Sequence, residues 1–173
     1  MYLGIDIGTS SVKAVIVDDK DTVVAQASAA LNVSRPQPGW SEQNPVDWWS
    51  ATNSAVKALP ARDRKAVLAV GLSGQMHGAT LLDAKDQPLR PAILWNDGRS
   101  EAQCATLEKT EPRSREITGN IAMPGFTAPK LVWVRENEPQ AFKDTRSVLL
   151  PKDYVRLLMT GEKASECSDA ART

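Results

Sequence analysis

The opening segment constrains the fold more than any other part of the chain. Tyr2-Leu3-Gly4-Ile5-Asp6-Ile7 and Val12-Lys13-Ala14-Val15-Ile16-Val17 are short β-prone runs separated only by the turn formers Gly8-Thr9-Ser10-Ser11. Such a pair must double back as a hairpin. Asp18-Asp19-Lys20-Asp21 supplies a second turn, after which Thr22 to Ala27 can return as a third antiparallel strand.

Beyond this meander, Pro36 and Pro38 mark an extended loop over 31–39. Asn44-Pro45 reads as a helix cap followed by a first-turn proline, with Val46, Trp49, Val56 and Leu59 at helical spacing before Pro60. The nearly continuous apolar run Ala66 to Leu72 has the pattern of a strand covered on both faces. Further strands are expected at 79–83, 92–95 and 147–150, and helices at about 100–109, 129–136 and 153–159. Strands, a helix, more strands and more helices in that order predict an α/β domain with a mixed sheet.

Composition removes several classes of function. With 173 residues, 42% of them hydrophobic and 24% charged, the chain can bury a core and is no disordered polymer. Lysine plus arginine and aspartate plus glutamate each number 21, so no net field draws the chain to nucleic acid or anionic lipid. Any phosphate must be gripped locally. Cys104 and Cys167 lie far apart and write neither a metal knuckle nor a redox pair, which fits a reducing, cytoplasmic setting. The opening residues lack a basic leader, and no run approaches a membrane span.

Three constellations could carry chemistry. In the first, Gly8, Thr9, Ser10 and Ser11 offer backbone N–H groups and hydroxyls to an anion; Asp6 could hold hydrated magnesium there and Lys13 a compact positive charge. A plain hairpin turn with an exposed lysine accounts for the same residues equally well. In the second, Gln75-Met76-His77-Gly78 follows a strand, where ligands of α/β sheets tend to sit. His77 is the only histidine, so a multi-histidine metal site is excluded. Its imidazole could donate to and accept from a sugar hydroxyl, or simply be a satisfied structural group. The third, Trp95-Asn96-Asp97-Gly98-Arg99, sets an apolar face beside planar polar groups as carbohydrate sites do, and reads equally as a turn with Arg99 paired to Asp97. Gly125 to Asn137 reads physically as a loop and a proline-led helix with Leu131, Trp133 and Val134 in the core.

Taken together, these segments resemble the N-terminal domain of the FGGY carbohydrate kinases. Asp6 to Ser11 is similar to the family's first phosphate-binding turn, and Gly125 to Asn137 to its N-terminal signature, with Lys130 and Trp133 in register. Within the family, 74–78, 93–99 and Leu150-Pro151-Lys152-Asp153-Tyr154 look most like members acting on D-xylulose. The resemblance implies that residues 1–173 form an actin-like, ribonuclease H-like domain with a mixed central sheet flanked by helices, the sugar-binding half of a two-domain kinase. ATP would lie between the halves and its terminal phosphoryl group would pass to the sugar's C5 hydroxyl. By similarity, Met76 and His77 contact the sugar, while Gln75, Trp95, Asn96, Asp97 and Arg99 form or brace the pocket. Asp6 would serve magnesium through water, and Gly8, Thr9, Ser10, Ser11 and Lys13 the phosphates.

The family's second signature, its adenosine pocket and the aspartate that takes the hydroxyl proton belong to a C-terminal half that this chain lacks, so little activity is expected of it alone. A homodimer is a further implication of the family. Gly125 stands where glycerol-type members carry an aromatic sugar contact, which weighs against glycerol. Ribulose or gluconate as substrate is the nearest alternative. A non-catalytic actin-like nucleotide module would share the opening turn but has no need of the segments at 75–78 and 95–99.

Overall fold

Leu3, Ile5 and Ile7 alternate with Tyr2, Gly4 and Asp6, and a pleated strand sends the two sets to opposite faces. The computed structural model, which describes residues 1–170, builds on that pattern. Its first half runs β1 (Tyr2–Ile7), β2 (Ser11–Val17), β3 (Val23–Ala30), β4 (Glu42–Gln43), α1 (Pro45–Ala58), α2 (Ala61–Lys65), β5 (Ala69–Gly74), β6 (Thr80–Leu82) and β7 (Ala92–Ile93). There follow α3 (Glu101–Thr110), α4 (Ser114–Thr118), α5 (Thr127–Asn137), α6 (Pro139–Asp144), β8 (Ser147–Leu149), α7 (Pro151–Thr160) and α8 (Cys167–Ala170).

The central sheet has the order β3-β2-β1-β5, antiparallel across the meander and parallel between β1 and β5. It is therefore the mixed sheet expected. Leu3, Ile5, Ile7, Val12, Ala14 and Ile16 form one apolar face and pack against Trp48, Ala51, Ala55 and Leu59 of the α1 region and Tyr154, Val155 and Leu157 of α7. The opposite face stays open as a trough of about 890 Å³ lined in part by Gly4, Asp6, Lys13, Ser28 and Ser73. A smaller cluster of Ala79, Leu81, Ile93, Trp133 and Val134 supports the loops beyond the sheet. No helix among the described residues is long and apolar enough to cross a membrane.

Three expectations change. Asn44 does cap α1, its side chain accepting from the Val46 N–H, but the buried face is Trp48, Ala51, Thr52 and Ala55; Val46 is 48% exposed. Adjacent tryptophans allow two helical phases, and the choice falls to Trp48 because Gln43 of β4 accepts its indole N–H at 2.9 Å. The apolar run 66–72 is not covered on both faces: β5 is the last strand of its sheet among the described residues, and Leu68 is 79% exposed. An unbroken apolar run carries no phase, so it cannot report which side is covered. Finally, β6 pairs with β8 and β4 with β7, so these strands form two small ribbons outside the central sheet.

Candidate active site

The Gly8–Ser11 turn is held by its carbonyl oxygens. Ile7 O accepts from Gln75 N at 2.8 Å and Ser10 O from Leu31 N at 2.9 Å. Thr9 O accepts from Gln43 Nε2 at 2.7 Å, and Gly8 N–H closes the turn onto Ser11 O at 3.1 Å. Gly8 O receives a longer contact from Gln75 Nε2 at 3.4 Å. In a planar trans peptide the N–H points opposite to the C=O. Tying the carbonyls of Gly8 and Thr9 to the protein therefore turns the N–H groups of Thr9 and Ser10 outward, as an anion cradle requires. A glycine is needed here, since a Cβ on Gly8 would stand 2.9 Å from Ser11 O.

Thr9 also joins this turn to the other candidate segments. Its hydroxyl donates to Gln75 Oε1 at 3.2 Å and accepts from the Trp95 indole N–H at 3.0 Å. That hydroxyl is spent on the protein, so Ser10 is left as the exposed hydroxyl of the turn. Gln75, expected at the sugar, is buried and has its carboxamide turned inward: Nε2 donates to Gln43 Oε1 at 2.8 Å. It holds the turn from beneath. Trp95, Asn96 and Met76 are exposed around it, and Trp95 bridges the segments through its nitrogen while 43% of its surface remains open.

His77 sits in the left-handed backbone region, φ 61°, unusual for a residue with a side chain. Its ring lies 4.8 Å from that of Phe126, and its carbonyl accepts from Lys130 Nζ at 2.8 Å and Thr127 Oγ1 at 3.2 Å. Gly125 passes close to Trp95, where a Cβ would meet Trp95 O at 2.6 Å. The loops at 8–11, 75–78, 95–99 and 125–127 are thus stitched together at the C-terminal ends of β1 and β5.

Asp97 and Arg99 brace this assembly from inside. The Asp97 carboxylate accepts from Ser41 N at 2.6 Å and from Arg99 Nε and Nη2 at 2.9 and 2.7 Å. The guanidinium stacks 3.7 Å from the Trp40 ring centroid and bridges to Glu42, which also takes Arg90. With side-chain exposures of 0% for Asp97 and 1% for Arg99, the pair is structural glue around the pocket.

Asp6 faces Lys13 across the hairpin on the open side of the sheet, with Oδ2 3.8 Å from where a Gly8 Cβ would stand. One exposed carboxylate beside an amide edge suits a cation ligated mainly by water and phosphate, as magnesium prefers. Among the described residues no cluster of three or more His, Cys, Asp or Glu could hold a metal by itself.

Sequence reasoning missed Gln43, Trp40 and the tether formed by Lys130. With Trp49 rather than Trp48 expected on the inner face of the helix, nothing in the sequence pointed to Gln43 as the acceptor of a buried indole N–H.

A family profile described as the FGGY family of carbohydrate kinases, N-terminal domain, matches residues 1–173. The chain is 58% identical over 174 residues to the xylulose kinase of Escherichia coli (strain K12), covering 100% of itself and 36% of that relative. It is 46% identical to the xylulose kinase of Bacillus subtilis (strain 168), covering 99% of itself and 35% of that protein. A crystal structure of a "xyloylose kinase" from Brucella ovis superposes with a TM-score of 0.96 at 56% identity, over 99% of this chain and 37% of that one. The chain spans about a third of the length of the curated relatives it matches, 36% in the first case.

Proposed function

Because the chain belongs to the FGGY family of carbohydrate kinases, we propose that it is the N-terminal, sugar-binding domain of a xylulokinase, which passes the terminal phosphoryl group of ATP to the C5 hydroxyl of D-xylulose. The observation that carries this reading is the joining of the anion-facing turn to the Trp95 and Gln75 segments through the Thr9 hydroxyl. A phosphate grip and a sugar-facing rim are one bonded unit, as in-line transfer demands.

In this reading the N–H groups of Thr9 and Ser10, with Lys13, hold phosphate oxygens. Asp6 would hold magnesium through water; that ion, when bound, neutralises charge on the phosphates. Met76, His77, Trp95 and Asn96 face the sugar, whereas Gln75, Asp97 and Arg99 fix the loops that present them. Asp6 is not the base: a carboxylate engaged with metal and phosphate is poorly placed to accept a substrate proton. The proton acceptor and the adenosine pocket are assigned to the remainder of the kinase, so the 173-residue chain alone is expected to turn over little or no sugar.

A coupled assay of ADP release by the complete kinase, run against D-xylulose, ribulose, gluconate and glycerol, tests the proposal. D-xylulose should give the highest kcat/KM, and His77→Ala should lower it by about a hundredfold or more. Turnover of none of these sugars, or an unchanged His77→Ala enzyme, would overturn it.

A further inference from the structure

We propose that Lys130 is a positioning residue for sugar recognition, its buried side chain clamping the carbonyl oxygens of His77 and Gly125 together and so fixing where the His77 imidazole stands. The inference rests on the ketose-kinase reading above. Lys130 lies on α5 with no exposed surface, and Nζ donates to His77 O at 2.8 Å and Gly125 O at 2.7 Å. Both partners are main-chain carbonyls of the loops that border the site, not carboxylates.

An apolar side chain of equal length would fill the same space without the cost of burying an amine, so packing alone does not call for lysine. Burial pushes the Lys130 amine down to about 7, with the Asp97 carboxylate pulling the other way and the Arg99 guanidinium adding to the fall. Charged or neutral, the amine keeps at least two N–H donors, which matches two acceptors. What the clamp opposes is visible in the backbone. His77 is held in the left-handed region, and Gly78 leaves no room to relax, since a Cβ there would stand 2.6 Å from Pro151 Cγ. Gly125 in turn is pressed on Trp95 O, so the same nitrogen sets His77 against the tryptophan that reaches Thr9.

The test is steady-state kinetics of the complete kinase carrying Lys130→Met, with D-xylulose and ATP varied separately and folding followed by thermal melting. The expected result is a KM for D-xylulose raised about tenfold or more with the KM for ATP within about twofold of wild type. Thr127→Val, which removes the second donor to His77 O, provides an independent variant should Lys130→Met fail to fold. It should shift the same constant in the same direction by a few-fold. Unchanged sugar KM in a folded Lys130→Met enzyme, or in Thr127→Val where Lys130→Met fails to fold, would overturn the clamp. So would equal losses for sugar and ATP. A wild-type enzyme inactive on every ketose would instead overturn the functional reading on which the clamp depends.

Discussion

Gln43 carries no charge, yet its carboxamide meets the Gly8–Ser11 turn, the end of β5 and the first helix at once. Nε2 donates to Thr9 O and, at 3.2 Å, to Asn32 O, while Oε1 accepts from Gln75 and Trp48. Truncation at this position would leave buried partners on several elements without their bonds. Gln43→Ala is expected to lower stability by about 1–3 kcal/mol, measured by urea denaturation, because unsatisfied buried groups cost more than the bonds they replace. Asp6, Ser10, Met76 and Trp95, all exposed, and the half-buried His77 stand out in the sequence because turn formers and strand ends are local signals. The sequence could not separate the residues that face the site from those that hold it. Gln75, Asp97 and Arg99 belong to the second group: the Asp97–Arg99 pair was open to a local reading, whereas the bonds of Gln75 to Gln43 and of the pair to Ser41, Glu42 and Trp40 appear only in the fold.

At the scale of elements, the hairpin and the helix cap were legible because each depends on neighbours in sequence. The β1–β2 register, which the intervening turn sets, pairs Asp6 with Lys13. The inner face of α1 and the exposure of β5 were not legible, since both depend on which distant element arrives to cover them. The 93–99 segment is an element held by charge: Arg99 joins Asp97 and Glu42, and Arg90 extends the chain to Glu138 at 2.7 Å. Arg99→Ala strands buried carboxylates and removes the stack on Trp40. The expected loss is about 3–5 kcal/mol, read from denaturation midpoints, which is the scale for breaking a buried pair from one side. A loss under about 1 kcal/mol would mean that the network is exposed in solution.

For the whole molecule, the apolar sheet face, α1 and α7 build a core on one side and leave Asp6 and Lys13 on an open trough on the other. The buried Lys130 adds a pH dependence to that stability. Its folded-state value of about 7 lies below the 10.5 of a free lysine, so between those limits the unfolded chain binds the extra proton. Stability relative to Lys130→Met should therefore rise as pH increases through that window and level off above it. Equilibrium unfolding of both proteins at pH 7, 8 and 9 measures the difference, and a flat difference would contradict the burial of the amine.

The central claim is that the phosphate-holding turn and the sugar-facing strand end work as one site through the Thr9 hydroxyl. Thr9→Val in the complete kinase keeps the volume and removes that link to Gln75 and Trp95. Steady-state assay should show kcat/KM falling about tenfold or more for both D-xylulose and ATP. Wild-type values for both substrates in the folded variant would contradict the account.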